Sequence, residues 1–250
     1  MGFRGLNVTP KVHRAIDMAA GLLIGWYRIR VAEPQPERNS NANYVLPKEE
    51  VNRRIAAARI APATMSKRVA IYSVAELVKG IERPTICDFG GSYGEDCIRF
   101  QRYIPNASYT VVEIPEIVAI AKQAEALPDI KFSTTLPAGC DVFHSSGVVM
   151  NAHVPVLNAI KSVKPPRLVI TSVEITESPT YWSMVVYRKF GRRHPYITFN
   201  RQEFLDRFMS LGYTLKDSWH QGESNSGVFL NGQKQPDIFG FTFLRNDLVQ

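Results

Sequence analysis

The chain has 250 residues, a hydrophobic fraction of 45% and a net charge of +7 at neutral pH. That length and apolar content suit one large domain, or a domain with an arm, and exclude a chain too polar to build a core. Cys87, Cys97 and Cys140 are odd in number and lack metal-ligand spacing, so they read as reduced thiols in a cytoplasmic protein rather than as a disulfide framework or a metal site.

Residues 1–47 read as an N-terminal helical arm and polar linker, and residues 48–250 as the main domain. Ala15–Tyr27 is apolar but interrupted by Asp17, and is shorter than the roughly 20 apolar residues of a bilayer span. Arg28 and Arg30 follow it where a signal peptide would carry a small-residue cleavage site. Two readings stand: a helix packed on the fold or in a homodimer, and a peripheral membrane helix flanked by Lys11, Arg14, Arg28 and Arg30. Glu33–Asn43 is a polar linker with two prolines, and Glu49–Val78 is helical in pattern, expected to cover the ligand side or one sheet face.

The densest signal is Thr85–Phe100, T-I-C-D-F-G-G-S-Y-G-E-D-C-I-R-F. A short apolar run reaches Asp88, a turn with Gly90, Gly91 and Gly94 follows, and helical spacing resumes. Cys87, inside the apolar run, is expected to serve as a small buried hydrophobe. Glycines let the chain turn sharply and let a ligand approach the main chain. This layout serves nucleotide-like cofactors at the carboxyl edge of a parallel sheet. Neither Gly90 nor Gly91 starts a G-x-G-x-x-G dinucleotide fingerprint, and no Gly-Lys-Ser/Thr of a phosphate loop occurs. The run D-F-G-G-S-Y-G resembles the first motif of class I S-adenosylmethionine methyltransferases, with Ser92 where that family's middle glycine stands. The resemblance implies that Asp88, Gly90, Gly91, Ser92, Tyr93 and Gly94 hold S-adenosyl-L-methionine.

Ser108–Glu113 (S-Y-T-V-V-E) is a β-rich run ending in an acid, 25 positions after Asp88. That spacing fits a strand–turn–helix–strand unit whose second strand tip offers Glu113 to a ribose diol. Asp129–Ser133, Asp141–Ser146 and Arg167–Ser172 are further strands separated by helical stretches, which implies a doubly wound parallel sheet. Tyr213–His220 and Ile238–Arg245, joined by a polar loop, should pair antiparallel. The expected fold is α/β: a Rossmann-like, seven-stranded, mostly parallel sheet closed by a C-terminal antiparallel hairpin. The class I resemblance adds Ile114, Ser145 and Ser146 as cofactor contacts.

Three further stretches, V-V-E-I-P-E-I-V, F-H-S-S-G-V-V-M and Y-I-T-F-N-R-Q-E-F-L-D-R-F-M-S-L-G-Y-T-L-K-D-S-W, resemble a family of methyltransferases often found among bacterial surface-polysaccharide biosynthesis genes. The likeness spans about Tyr72 to Arg245 and implies methyl transfer to a small or glycan-like acceptor. Arg188, Lys189, Arg192, Arg193 and His194 form a basic segment after the fifth strand, where this fold commonly builds its acceptor site. Arginine suits bidentate capture of phosphate or carboxylate, so an anionic acceptor is one reading and a solvated basic loop the other. No dedicated RNA- or DNA-binding motif accompanies the charge, and nucleic acid is not an expected partner. For transfer to oxygen a general base is needed. His153 and His194 are the catalytic candidates, with Glu174 and Tyr181 beside the acceptor and His144 a core residue. A methyltransferase fold that has lost catalysis and serves as a binding or partner subunit is the alternative.

Overall fold

The computed structural model describes residues 26–31, 45–60, 65–123, 129–187, 192–224, 228–229 and 235–249. In chain order, β1 (Trp26–Val31) precedes the helices α1 (Lys48–Ile60) and α2 (Met65–Leu77). Next come β2 (Thr85–Phe89), α3 (Glu95–Gln101), β3 (Ser108–Val112), α4 (Pro115–Gln123) and β4 (Ile130–Ser133). The chain continues through β5 (Val142–Ser146), α5 (Val149–Val163), β6 (Arg167–Thr176), β7 (Tyr181–Tyr187) and β8 (Arg192–Asn200). Helix α6 (Arg201–Met209) leads into β9 (Tyr213–Glu223), β10 (Val228–Phe229) and β11 (Asp237–Arg245).

Seven of these strands run in the order β4-β3-β2-β5-β6-β11-β9. The first five pair in parallel, and β11 enters antiparallel between β6 and β9. This is the doubly wound, hairpin-closed sheet that the strand spacing implies. The central strands are near-continuous apolar runs because helices cover both faces. In β6, Leu168, Val169, Ile170, Val173 and Ile175 are all buried. Cys87 packs with Phe143, Val149 and Ile170 as the small hydrophobe its place in β2 implies. On one face, Phe204 of α6 nests against Phe199, Phe208 and Phe241, with ring centroids 4.8–5.3 Å apart. Helix α6 starts cleanly because Asn200 Oδ1 accepts from Gln202 N at 3.0 Å and Glu203 N at 3.3 Å. Helix α5 is kinked at Ala152 (φ −136°, ψ 45°), three residues before Pro155, whose ring disfavours a regular turn ahead of it.

The sheet also extends past β6 on a side that the sequence does not announce. Strands β10, β1, β7 and β8 form a ledge, and β8 joins the main sheet by pairing Phe199 and Asn200 with Ile175 and Thr176. Since β5 pairs with β6 only up to Thr171, the ledge begins beyond the carboxyl end of β5. The basic stretch expected as a loop is therefore largely a hairpin, with Arg192, Arg193 and His194 inside β8. Its physical reason is the alternation of aromatic and β-branched residues in Y-W-S-M-V-V-Y and H-P-Y-I-T-F. The apolar arm likewise ends in a strand, since Trp26 and Tyr27 belong to β1. The rest of the proposed N-terminal helix, residues 15–25, lies outside the described residues, as do Arg188 and Lys189. Among the described residues no helix is long and apolar enough to cross a membrane.

One buried ion pair joins ledge and sheet. Arg28 of β1 is fully buried and forks onto Glu174 of β6, with Nη1 to Oε1 at 2.8 Å and Nη2 to Oε2 at 2.6 Å. Ser183 Oγ accepts from Arg28 Nε at 2.6 Å, and Ser224 Oγ donates to Glu174 Oε1 at 2.5 Å. Thr198 Oγ1 accepts from Arg28 Nη2 at 2.9 Å and donates to Glu174 Oε2 at 3.0 Å. Glu174 was expected at the acceptor side. It is instead an interior residue, because Arg28, 146 positions away in sequence, neutralises it there.

Candidate functional site

The turn after β2 is built around a buried carboxylate. Asp88 is 1% exposed. Its Oδ1 meets His144 Nδ1 at 2.8 Å, and its Oδ2 accepts from Cys97 Sγ at 3.6 Å. The rings of Phe100 and His144 pack edge to face at 87°, 5.0 Å between centroids. His144 is thus a satisfied core residue, in keeping with its place inside the strand. Burial and the nearby Asp88 charge push the Cys97 thiol well above its usual range, so it stays protonated as a donor.

Gly90 and Gly91 are needed for different reasons. Gly90 has φ +70°, and a Cβ there would run into the Val148 side chain at the head of α5. Gly91 needs no left-handed backbone, but its Cβ would land on the Asp88 carboxylate. Ser92 holds φ +52°, so the residue standing at the family's middle glycine keeps a glycine-like conformation. For a side-chain-bearing residue that costs about 1–2 kcal/mol. The Ser92 N–H compensates by donating to Glu113 Oε1 at 3.0 Å, while Ile114 N–H donates to Oε2 at 2.9 Å. Glu113 therefore stands at the tip of β3 beside the turn. Burial raises its pKa above the usual carboxylate value, against the pull of those two N–H donors.

Above the turn lies a cavity of about 410 Å³, within the roughly 300–1,000 Å³ of small-molecule clefts. Asp88, Gly90, Gly91, Ser92 and Ser146 form its floor at the carboxyl edge of β2 and β5. Glu95, Asp96 and Arg99 of α3 make one wall, and Arg54 and Ala57 of α1 form the roof. Helix α1 lies there because Val51, Ile55 and Ala58 share a face and bury against the core. Three polar contacts seat it: Leu46 N–H donates to Tyr93 Oη at 2.8 Å, Arg54 Nε meets Glu95 Oε1 at 2.7 Å, and Arg102 Nη2 donates to the Ala58 carbonyl at 2.7 Å. The Glu49–Val78 stretch does cover the ligand side, as two helices.

The remaining expected residues divide. Ser146 reaches the cavity and lies 3.3 Å, Oγ to Oγ, from Ser172. Ser172 sits in a β-bulge of β6 opposite Gly240, with φ +57°, and its N–H is taken by Gln221 Oε1 from β9 at 2.7 Å. Ser145 is turned inward, donating to the Phe89 carbonyl at 3.0 Å. Tyr93 is fully buried and supports the roof rather than the cavity, and Gly94 (φ +81°) starts α3 against Phe132. Neither catalytic candidate lines the cavity. His153 is half-buried on α5 with its ring 5.7 Å from Trp182 and 6.3 Å from Phe199, and His194 is buried in β8 opposite Val185. Tyr181 is buried at the start of β7 with the Arg30 guanidinium 4.4 Å over its ring. The side chains of Arg192 and Arg193 are outside the described residues. Sequence reasoning missed Arg54, Glu95, Asp96 and Arg99; all four lie in recognisable helices, but which helical face meets the turn has no local signal.

The floor suits a ligand that approaches the main chain closely. Two floor positions exclude side chains, a carboxylate stands at the neighbouring strand tip, and hydroxyl and charged groups ring the rest.

No protein-family model matches the sequence, and no curated protein matches it. The fold does have relatives among solved structures. The 1,6-didemethyltoxoflavin-N1-methyltransferase of Burkholderia thailandensis, solved with 1,6-didemethyltoxoflavin and S-adenosylhomocysteine, superposes with a TM-score of 0.54 at 18% identity, covering 87% of this chain and 94% of that one. Human N-acetylserotonin methyltransferase with S-adenosylmethionine gives a TM-score of 0.51 at 17% identity, covering 92% of this chain and 67% of the other. A methyltransferase from Methanosarcina mazei gives 0.50 at 11% identity, over 66% and 93% of the two chains. The chain therefore has the class I methyltransferase fold.

Proposed function

We propose that this protein is an S-adenosylmethionine-dependent methyltransferase acting on a small acceptor. The observation that carries the reading is the pairing of a turn whose Gly90 and Gly91 exclude side chains with Glu113 at the next strand tip, the turn lining a roofed cavity at the carboxyl edge of the sheet. On this reading the turn backbone receives the cofactor, Glu113 accepts hydrogen bonds from its ribose, and the charged roof and wall meet its amino-acid end. The bound cofactor supplies an electrophilic methyl group on a sulfonium. The chain's own part is to hold acceptor and methyl in line and to keep water out.

We assign the acceptor to the ledge side, where β7, β8 and the head of α5 extend past Ser146 and Ser172. Support comes from the rings of Trp182 and Phe199 beside His153, and from the basic residues entering β8. An oxygen acceptor with an acidic or glycan-like body, and a link to surface-polysaccharide synthesis, rest on the sequence resemblance and that charge. His153 is the better placed of the two bases for this reading, since His194 is buried within the hairpin.

Calorimetry with S-adenosylhomocysteine tests the cofactor. One-to-one binding by the folded protein is expected, and its absence would overturn the assignment. Methyl transfer from labelled S-adenosylmethionine to candidate acceptors then separates an enzyme from a binding subunit. His153→Asn should lower turnover while leaving S-adenosylhomocysteine affinity unchanged.

A further inference from the structure

Helices α1 and α3 run side by side, from the Arg54–Glu95 pair beside the glycine turn to the Ala58 carbonyl, which Arg102 reaches past the end of α3. Beyond that point both helix ends carry exposed apolar groups. Ile60, the last residue of α1, is 83% exposed, and Tyr103, just after α3, is 47% exposed. Tyr72 of α2 is 57% exposed, and its ring packs edge-on against that of Tyr103, 5.7 Å between centroids. Ile60 and Tyr72 are the two most exposed large apolar side chains among the described residues. Apolar groups gathered in this way, rather than scattered singly, mark a contact surface.

The surroundings are cationic. Arg59 precedes Ile60, Arg102 precedes Tyr103, and Arg68 stands one turn before Tyr72 on the same face of α2; all three are exposed. From Arg59 to Lys79 the sequence holds four basic residues and one acid, Glu76. A nucleic acid takes cations along its backbone and flat rings against its bases, and has no use for an aliphatic side chain projecting from a helix end. A protein partner would have to supply a pocket for that side chain. A lipid surface needs no pocket. Its acyl boundary accepts an aliphatic tip, its headgroup level accepts tyrosine rings, and anionic headgroups attract the arginines.

We propose that this flank, Ile60, Tyr72 and Tyr103 with Arg59, Arg68 and Arg102, docks the protein on an anionic lipid surface. The contact is peripheral: the apolar groups enter the headgroup layer and the arginines stay at its level. It does not depend on the cofactor reading, since none of the six residues lines the cavity.

The test is co-sedimentation of the full chain with vesicles of phosphatidylcholine alone and of phosphatidylcholine mixed with phosphatidylglycerol. The wild type should bind the mixed vesicles, release as salt is added, and leave the neutral ones unbound. Ile60→Asp should lower the partition coefficient roughly tenfold or more, the loss expected for one buried aliphatic side chain. Tyr72→Ser with Tyr103→Ser should lose at least as much. Arg59→Gln with Arg68→Gln should lose about 25-fold, at about fivefold per charge. Met209→Asp, an exposed apolar position at the end of α6, controls for the added negative charge and should bind nearly as the wild type does. Melting curves establish that each variant is folded. No binding to the mixed vesicles, equal binding to the neutral ones, or equal losses in Ile60→Asp and Met209→Asp would each overturn the proposal. So would self-association that Ile60→Asp abolishes, or a shift of single-stranded RNA that the arginine variant abolishes, in a wild type that leaves vesicles unbound. The first would make the flank a contact between copies of this chain, and the second a nucleic-acid surface.

Discussion

Replacing Arg28 by Met tests whether the ion pair between ledge and sheet is a structural necessity. The substitution leaves Glu174, 1% exposed, without its counter-charge. Removing one partner of a buried pair costs about 3–5 kcal/mol. Here the loss should lie near the lower end, because Thr198 and Ser224 still donate to the carboxylate. Glu174→Leu should lie near the upper end, since Arg28 would lose its counter-charge and keep neutral groups such as the hydroxyl oxygens of Ser183 and Thr198. If the two effects were independent, the double variant would lose about 8 kcal/mol, taking these two ends of the range together. It should lose far less, because no lone charge remains inside. Its residual cost comes from Thr198 and Ser224, whose hydroxyls lose their bonds to Glu174 at about 1–3 kcal/mol each. Urea unfolding of the four proteins gives the coupling energy directly, and Arg28→Met should also lower the melting temperature by roughly 6–12 °C for a domain of this size. A loss below about 1 kcal/mol in Arg28→Met, or additivity in the double variant, would refute the assignment of this pair as a buried, mutually dependent unit.

Gly91→Ala should destabilise the protein by about 1–3 kcal/mol, because its Cβ displaces the Asp88 carboxylate and with it the bond to His144; a melting curve matching wild type would show that the turn can yield. Glu113→Ala should weaken S-adenosylhomocysteine by about 1.5–3 kcal/mol. Because burial raises the Glu113 pKa, the folded protein holds this proton to higher pH than the unfolded chain does. Its contribution to stability is therefore greatest at low pH and falls as pH rises through the folded value. Cofactor affinity should run the other way, falling as pH drops through that value and the acceptor is protonated, and Glu113→Gln should flatten the profile in calorimetry across pH. Phe204→Ala should cost about 3–5 kcal/mol in urea unfolding, since it empties the centre of the ring cluster formed with Phe199, Phe208 and Phe241.

The parts that were legible in the sequence are those whose chemistry is local. A strand, a glycine turn and a helix follow one another within Thr85–Phe100, and each is announced by its own residues. The spacing to Glu113 then places the second strand tip without any tertiary knowledge. Glu174 shows the opposite case: an acid ending an apolar run looks solvent-facing until Arg28 is known to lie against it. The same holds for Gly91, whose constraint comes from Asp88 beneath it, although the turn alone suggests a ligand above it. The ledge carried strand signals in Tyr181–Tyr187 and His194–Phe199, yet its partner β1 lies over 150 positions earlier, and pattern within a window cannot join them. Arg54 sits in a stretch correctly read as a helical cover, but only the packing of Val51, Ile55 and Ala58 decides that its face turns toward α3.

The place of β1 in the middle of the ledge also bears on the order of folding. It pairs with β7 on one side and with β10 on the other, segments made roughly 150 and 200 residues later in the chain. Such distant pairings form slowly, because long loops must close before any contact rewards them. The parallel core, whose β2, β3, β4, β5 and β6 follow one another closely, has no such delay. Strand β1, made well before its partners, is therefore among the last of the described strands to be docked, and the turn at Gly90–Gly94 should take shape before the ledge that flanks it.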